Sequence, residues 1–443
     1  MIKLTTIASD LRTNAMLCSS AVALLAATAS VFVPATASAQ TADAFQVLGY
    51  NGEAAGNVSA TDTEVTPAAT TGSRRGKRPA PASPPAPSPA EPIVTPATAY
   101  NYYVSPNGND SADGSKAAPF RTLARAVKAV RPSSTVWVAP GTYSGGFRNT
   151  VSGTSNGRIY FVSTTKWGAK IVPPASSSGD VAFDNRGSYV DIIGFQVDGS
   201  NSQSGTKWRY GIYNGGSYDS IRENYVHHIA KDIPCTSGGG SAIGADSYYK
   251  GVKAEIISNV VHDIGPAGCH FVQGIYMSTS GIIKNNAVYR VAEAAIHLWH
   301  DANDVIITNN TVTSSGTGII VGGGDYYFTT AGANNVHVYS NIVYDNKYGI
   351  SEQGRTGTSN TYRNNLVYQN TYPWTLKNGL KHYNTVAAVP GFTAYSRTGT
   401  QNLKITSGSA AVGKGSSTYA HPTDIVGRPR NSSTGFDIGA YQH

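Results

Sequence analysis

The chain has 443 residues, a formal net charge of +8, 48 glycines and 3 cysteines. That length is ample for one large core, and so few cysteines exclude a small disulfide-stapled scaffold. A basic balance attracts acidic partners over long range. With no nucleic-acid motif in the sequence, the expected partner is an acidic polysaccharide and not nucleic acid.

Met1 to Ala39 reads as an export signal. Lys3 and Arg12 lead into the apolar run AVALLAATASVFV, and ASA at Ala37 to Ala39 is a small-residue cleavage site. The run is short for a membrane span, so none is expected in the mature protein, which is read as secreted or periplasmic. Residues 40–99, ending in RRGKRPAPASPPAPSPAEP, are proline-rich and poor in large apolar side chains, and read as a disordered tether. The leader carries two basic residues and one acidic (+1), and the tether four and five (−1). Residues 100–443 therefore keep the whole +8.

The loop NGNDSADG matches the early spacing of a calcium loop, but its twelfth position is Phe120 and not Glu, so a Gly/Asn turn is the better reading.

A repeat follows. SIRENYVHHI, EIISNVVHDI, GIIKNNAVYRV, VIITNNTVTSS, VHVYSNIVYDN and NTYRNNLVYQN align on Asn224, Asn259, Asn286, Asn310, Asn341 and Asn365, each with a valine two residues later and, in five of the six, Ile or Val three residues earlier. Short alternations rich in Val, Ile, Thr and Tyr are strands, not helices. One unit cannot bury its apolar face, but stacked units can. The expected fold is all-β: a parallel β-helix over about residues 135–390, its valines in one interior column and its asparagines forming a ladder at a bend in the left-handed conformation that Asn tolerates.

With its opening YYVSPNGNDSADGSKAAPFRTLARAVKAV, the step TVWVAPGTY and the close DIVGRPRNSSTGFDIGAYQH, the sequence resembles the right-handed parallel β-helix proteins of the pectate-lyase-like superfamily. The resemblance implies a single-stranded right-handed solenoid over 100–443, entered by a strand from about residue 100, a polar loop and a capping helix over about Thr122 to Val130. It leaves activity open among lyases, hydrolases, epimerases, esterases and phage spikes.

Alternation along strands puts Ile275, Met277, Ile296 and Leu298 inside and Tyr276, His297 and Trp299 outside, with Tyr276 beside His297. The expected site is this patch: His297, Tyr276, His300 and Glu293 as catalytic residues, and Trp299, His270, Gln273 and Arg290 as substrate-binding ones. Cleaving a uronic-acid polymer by β-elimination needs a base, an acid and a neutralised carboxylate. His297 and Tyr276 supply the first two, and Arg290, His300 or a cation the third. The lyases of the superfamily use Lys or Arg as base and often calcium. No compact acidic cluster is legible here, so no metal ligands are assigned, calcium stays open, and Lys231 and Lys284 are substitute bases. A second cluster, His228, Asp263 and Arg290, lies four residues beyond the asparagines and reads as a structural ion pair before a catalytic one. A hydrolase would draw on Glu293, Asp301, Asp304 or Asp325, but NTD, DD and HG do not occur. The alternative to a lyase is a non-catalytic polysaccharide-binding solenoid. Cys235 and Cys269 occupy nearly the same point of successive turns and are expected to form a disulfide. A monomer is expected.

Overall fold

The computed structural model describes residues 95–443 except 177–178, 201–204, 206, 432 and 434. The leader and most of the tether lie outside the described residues. The chain winds through three parallel sheets in turn. One coil runs from Ser220–Arg222 in the first sheet to Tyr225–His227 in the second and Gly240–Ala245 in the third. The second and third sheets have nine strands each and so define nine coils. The first has eleven, because Tyr100–Val104 pairs ahead of the first coil and His382–Tyr383 after the last. The capping helix is shorter than expected, Leu123–Ala126, with the Thr122 hydroxyl accepting the Arg125 N–H. Asp110, in the loop tested for calcium, instead accepts the Arg121 and Thr122 N–H groups.

The interior is a set of stacked columns. Val226, Val261, Val288, Val312, Val343 and Val367 pair in register and are buried. Ile212, Ile243, Ile275, Ile296, Ile319 and Ile350 form the matching column of the third sheet. Each ladder asparagine up to Asn341 sends its side-chain amide to the next Oδ1 at 2.9–3.1 Å, and that oxygen also accepts the backbone N–H. One point of the sequence reading is corrected. The left-handed residue is not the asparagine but the one before it, Glu223, Ser258, Asn285, Asn309, Ser340 or Asn364, all near φ +55°. The ladder amides are fully buried, and it is their hydrogen bonding, not their backbone, that requires asparagine. A second left-handed corner recurs four residues after each ladder position, from His228, Asp263 and Arg290 to Gln369.

The C-terminal segment folds back over the second sheet. Leu403, Ile425 and Ala440 pack on Ala287, and Ile405, Ala411 and Ile438 on Ile342 and Leu366. It reaches Val260 and Tyr289 of that sheet, and residues 421–427 form one wall of a groove on the first. Cys235 and Cys269 form the expected disulfide, Cα atoms 5.5 Å apart. Among the described residues, no helix is long and apolar enough to cross a membrane.

Candidate functional site

On the third sheet Tyr276 and His297 are partners in register, with rings edge to face and centroids 5.3 Å apart. The outward column continues into Ile320 and Ser351, so the patch is local. Outward does not mean open here, because His297 is only 6% exposed and neither ring nitrogen has a partner. Burial, then the nearby His300, pushes its pKa down to about 3. Tyr276 and Trp299 pack against the His297 ring, and the neighbouring His300 meets the loop around residues 324–329, which Asp301 anchors by accepting the N–H groups of Tyr327, Phe328 and Thr329. His300 is fixed beneath Tyr327, its Nδ1 donating to the Asp325 carbonyl and its Nε2 2.9 Å from the Tyr327 hydroxyl. Trp299 follows the strand's last residue, Leu298, and lies on a bed of glycines. A Cβ at Gly324 would come within 2.6 Å of its ring, so one face of the indole is occupied.

The other expected residues do not join this patch. Glu293 and His270 pair with each other at 3.1 Å, Gln273 is buried, and Arg290 stands on the second sheet's corner, where it binds Asp263. The lysines named as substitute bases are apart too. Lys231 is exposed, and Lys284 faces outward from the first sheet, its pKa lowered by burial. Beside Tyr276 stand His297 and His300, and burial, then Tyr327, Asp246, Tyr210 and Asp325, raises the pKa of its hydroxyl.

Among the described residues, a second array of proton-bearing groups lies on the second sheet, three residues after the ladder asparagines, where His227 and His262 are as buried as His297. His227, His262 and Tyr289 stack in register at 5.2 and 4.8 Å with nearly parallel rings. The Tyr225 hydroxyl is 2.6 Å from His262 Nε2, and His262 Nδ1 is 2.6 Å from Asp263 Oδ2. Arg290 holds both oxygens of Asp263 at 2.7 Å. Burial works against ionisation of Asp263, but the bonds from Arg290 and His262 outweigh it and hold the carboxyl well below the usual range. Burial lowers the pKa of His262 and raises that of Tyr225. A hydroxyl, an imidazole and an orienting carboxylate thus form one chain of hydrogen bonds, the arrangement that lets an imidazole take a proton from a hydroxyl. The ion pair read from the sequence, Asp263 with Arg290, is present, but it is one end of this chain. Tyr225, His227 and His262 were not singled out from the sequence. The signal was the column one residue before the one considered.

Trp167 packs on Tyr225 with centroids 5.0 Å apart and also lines a groove of about 1330 Å³ along the first sheet. Arg158, Lys166, Arg222 and Lys253 share that lining with Glu223, Glu255 and Asp304. The groove exceeds the several hundred Å³ typical of small-molecule pockets.

A family model described as "Right handed beta helix region" matches residues 210–393, and one described as "Protein of unknown function (DUF1565)" matches 106–150. Over 161 residues the chain is 29% identical to pectate lyase L of Dickeya dadantii (strain 3937), covering 33% of this chain and 36% of that protein. Over 150 residues it is 29% identical to the uncharacterized protein YwoF of Bacillus subtilis (strain 168), covering 32% and 31%. The similarity spans only the stated third or so of each relative's length. Pectate lyase Pel9A matches in structure with a TM-score of 0.53 at 18% identity, over 78% of this chain and 97% of that one. The fold is shared.

Proposed function

We propose that this right-handed parallel β-helix protein, pectate-lyase-like in fold, is an exported polysaccharide lyase that cleaves a uronic-acid polymer at the meeting of the first and second sheets. The observation that carries the reading is the Tyr225–His262–Asp263 chain at the rim of the groove. In β-elimination one proton leaves C5 and one arrives at the leaving oxygen. The C5–H electron pair becomes the C4–C5 double bond as the C4–O bond breaks. A tyrosine and histidine that share a mobile proton serve both transfers. Asp263 orients the imidazole, and Lys166 and Arg222, which flank Glu223 beside Trp167, neutralise the sugar carboxylate. Arg290 does not line the groove as Lys166 and Arg222 do, and it acts through Asp263, to which it makes two hydrogen bonds, not on substrate.

Calcium, which the fold family implies, takes six to eight oxygen ligands. The metal-type grouping among the described residues is one carboxylate and two histidines, which does not suit it, and no step is assigned to calcium. Export through Met1 to Ala39, a disordered tether and a monomeric state belong to the same reading, and the disulfide fits an oxidising compartment.

A second reading keeps the reaction at Tyr276 and His297. The observation in its favour is the pair of unpartnered nitrogens on His297, which a bound sugar hydroxyl would satisfy. The experiment for both is incubation of the protein, with and without calcium, against a panel of acidic polysaccharides. Ultraviolet absorbance from an unsaturated uronate indicates a lyase. Reducing ends without that absorbance indicate a hydrolase, and binding without product a binding protein.

A further inference from the structure

We propose a divalent transition-metal site, of the kind that takes Zn²⁺, formed by Asp198, His227 and His228 on the second sheet. His227 Nδ1 lies 2.6 Å from His228 Nδ1 and 3.5 Å from Asp198 Oδ1, and ligand atoms of all three lie within 4.8 Å of one another. Neighbouring strand residues ordinarily point to opposite faces. Here His227 ends the strand facing outward, and His228 takes the left-handed corner at φ 56°, which brings both imidazoles to one side. In a tetrahedral zinc site with bonds of about 2.0–2.1 Å, ligand atoms stand roughly 3.3 Å apart. The His–Asp edge is already near that value. A small rotation of His228, the most exposed of the three, opens the His–His edge.

The surroundings suit a metal. His227 Nε2 meets the Gln196 amide at 2.9 Å, and its ring stacks on His262. In the metal-free protein the Gln196 side-chain N–H donates to His227 Nε2, so His227 carries its proton on Nδ1 and donates it to His228 Nδ1. On binding, Gln196 turns its amide so that Oε1 accepts an Nε2–H from His227, the usual role of groups behind a metal ligand. Both histidines then offer Nδ1, and neither changes charge. The Ser200 N–H holds Asp198 Oδ1 at 2.9 Å and Lys170 holds Oδ2 at 2.5 Å, leaving one lone pair of Oδ1 for the ion. Two nitrogens and one carboxylate oxygen select a borderline ion over calcium, and three protein ligands leave the fourth position to water or substrate. One stacked ring from His262, the ion would face the same sugar carboxylate as Tyr225. That extension rests on the lyase reading, whereas the metal site does not.

The test is equilibrium dialysis of the full chain against Zn²⁺ with excess Ca²⁺ present, followed by metal analysis and by the visible spectrum of the Co²⁺ form. Wild type should hold one Zn²⁺ that calcium does not displace and give a four-coordinate Co²⁺ spectrum. His228→Ala and Asp198→Asn, with unchanged circular dichroism, should each lose at least 100-fold in affinity. Should those variants fail to fold, Lys170→Met, which removes a competing charge, should tighten Zn²⁺ several-fold. Absence of binding in wild type, or affinity unmoved by these substitutions, would overturn the site. Metal binding by a protein inactive on every polymer would leave the site standing and remove the lyase reading.

Discussion

At the scale of single residues, hydrogen bonding and not burial separates two histidines that look alike in sequence, both only 6% exposed. His262 is held between a hydroxyl and a carboxylate, whereas His297 is enclosed with no partner for either nitrogen. His297 has a folded-state pKa of about 3 against an ordinary 6.5, so between these values the unfolded chain binds the extra proton. Its contribution to stability is present above about pH 6.5 and is lost as pH falls toward 3. Urea unfolding midpoints at pH 7 and pH 4.5 should therefore drop more in wild type than in His297→Leu, and equal drops would contradict the assignment. Tyr225→Phe keeps the ring against Trp167 and removes only the hydroxyl. Loss of positioned acid–base help is worth about 10²–10⁴-fold in rate, so product formation should fall by that order with unchanged circular dichroism.

At the scale of elements, the ladder is where one side chain serves several coils. Asn310 donates to Asn341 and to the Ile283 carbonyl, and accepts from both the side chain and the backbone of Asn286. Asn310→Ala leaves these buried groups unpaired at roughly 1–3 kcal/mol each, and denaturant unfolding should show a loss of at least one such increment. Loss below half a kcal/mol would mean the ladder is ornamental. The ladder and valine columns were legible in the sequence because inward positions keep a fixed offset from the asparagine in every coil. The left-handed residue was misplaced by one because Asn285, Asn309 and Asn364 stand immediately before ladder asparagines, and the sequence does not say which of the two bends. Three residues after the asparagine, the same offset rule places His227 and His262 on an outward face. Their neighbours at four residues, His228 and Asp263, drew the attention instead.

At the scale of the whole molecule, what the sequence hid is what distant segments cover. The loop around 324–329 closes on His300 beside His297, and the segment beyond residue 392 packs over the second sheet as far as Val260 and Tyr289. Neither is local to the coil it covers, so local alternation read Tyr276 and His297 as exposed. The disulfide was legible because it joins equivalent points of adjacent coils. Denatured, unreduced protein lacking residues 1–39 should titrate no free thiol. Reduction should lower stability by roughly 3–4 kcal/mol in the chain-entropy model for a loop of about 35 residues. Two reactive thiols before reduction would contradict the bridge.

The central claim is that proton transfer belongs to the hydrogen-bonded Tyr225 and His262 beside the groove and not to Tyr276 and His297 on the third sheet. The direct measurement is the rate of unsaturated-uronate absorbance on whichever acidic polysaccharide the wild type cleaves, compared across wild type, Tyr225→Phe and Tyr276→Phe at equal protein concentration. The account predicts a loss of at least 100-fold in Tyr225→Phe and less than tenfold in Tyr276→Phe. Full activity in Tyr225→Phe, with the loss in Tyr276→Phe, would contradict it and return the site to the third sheet.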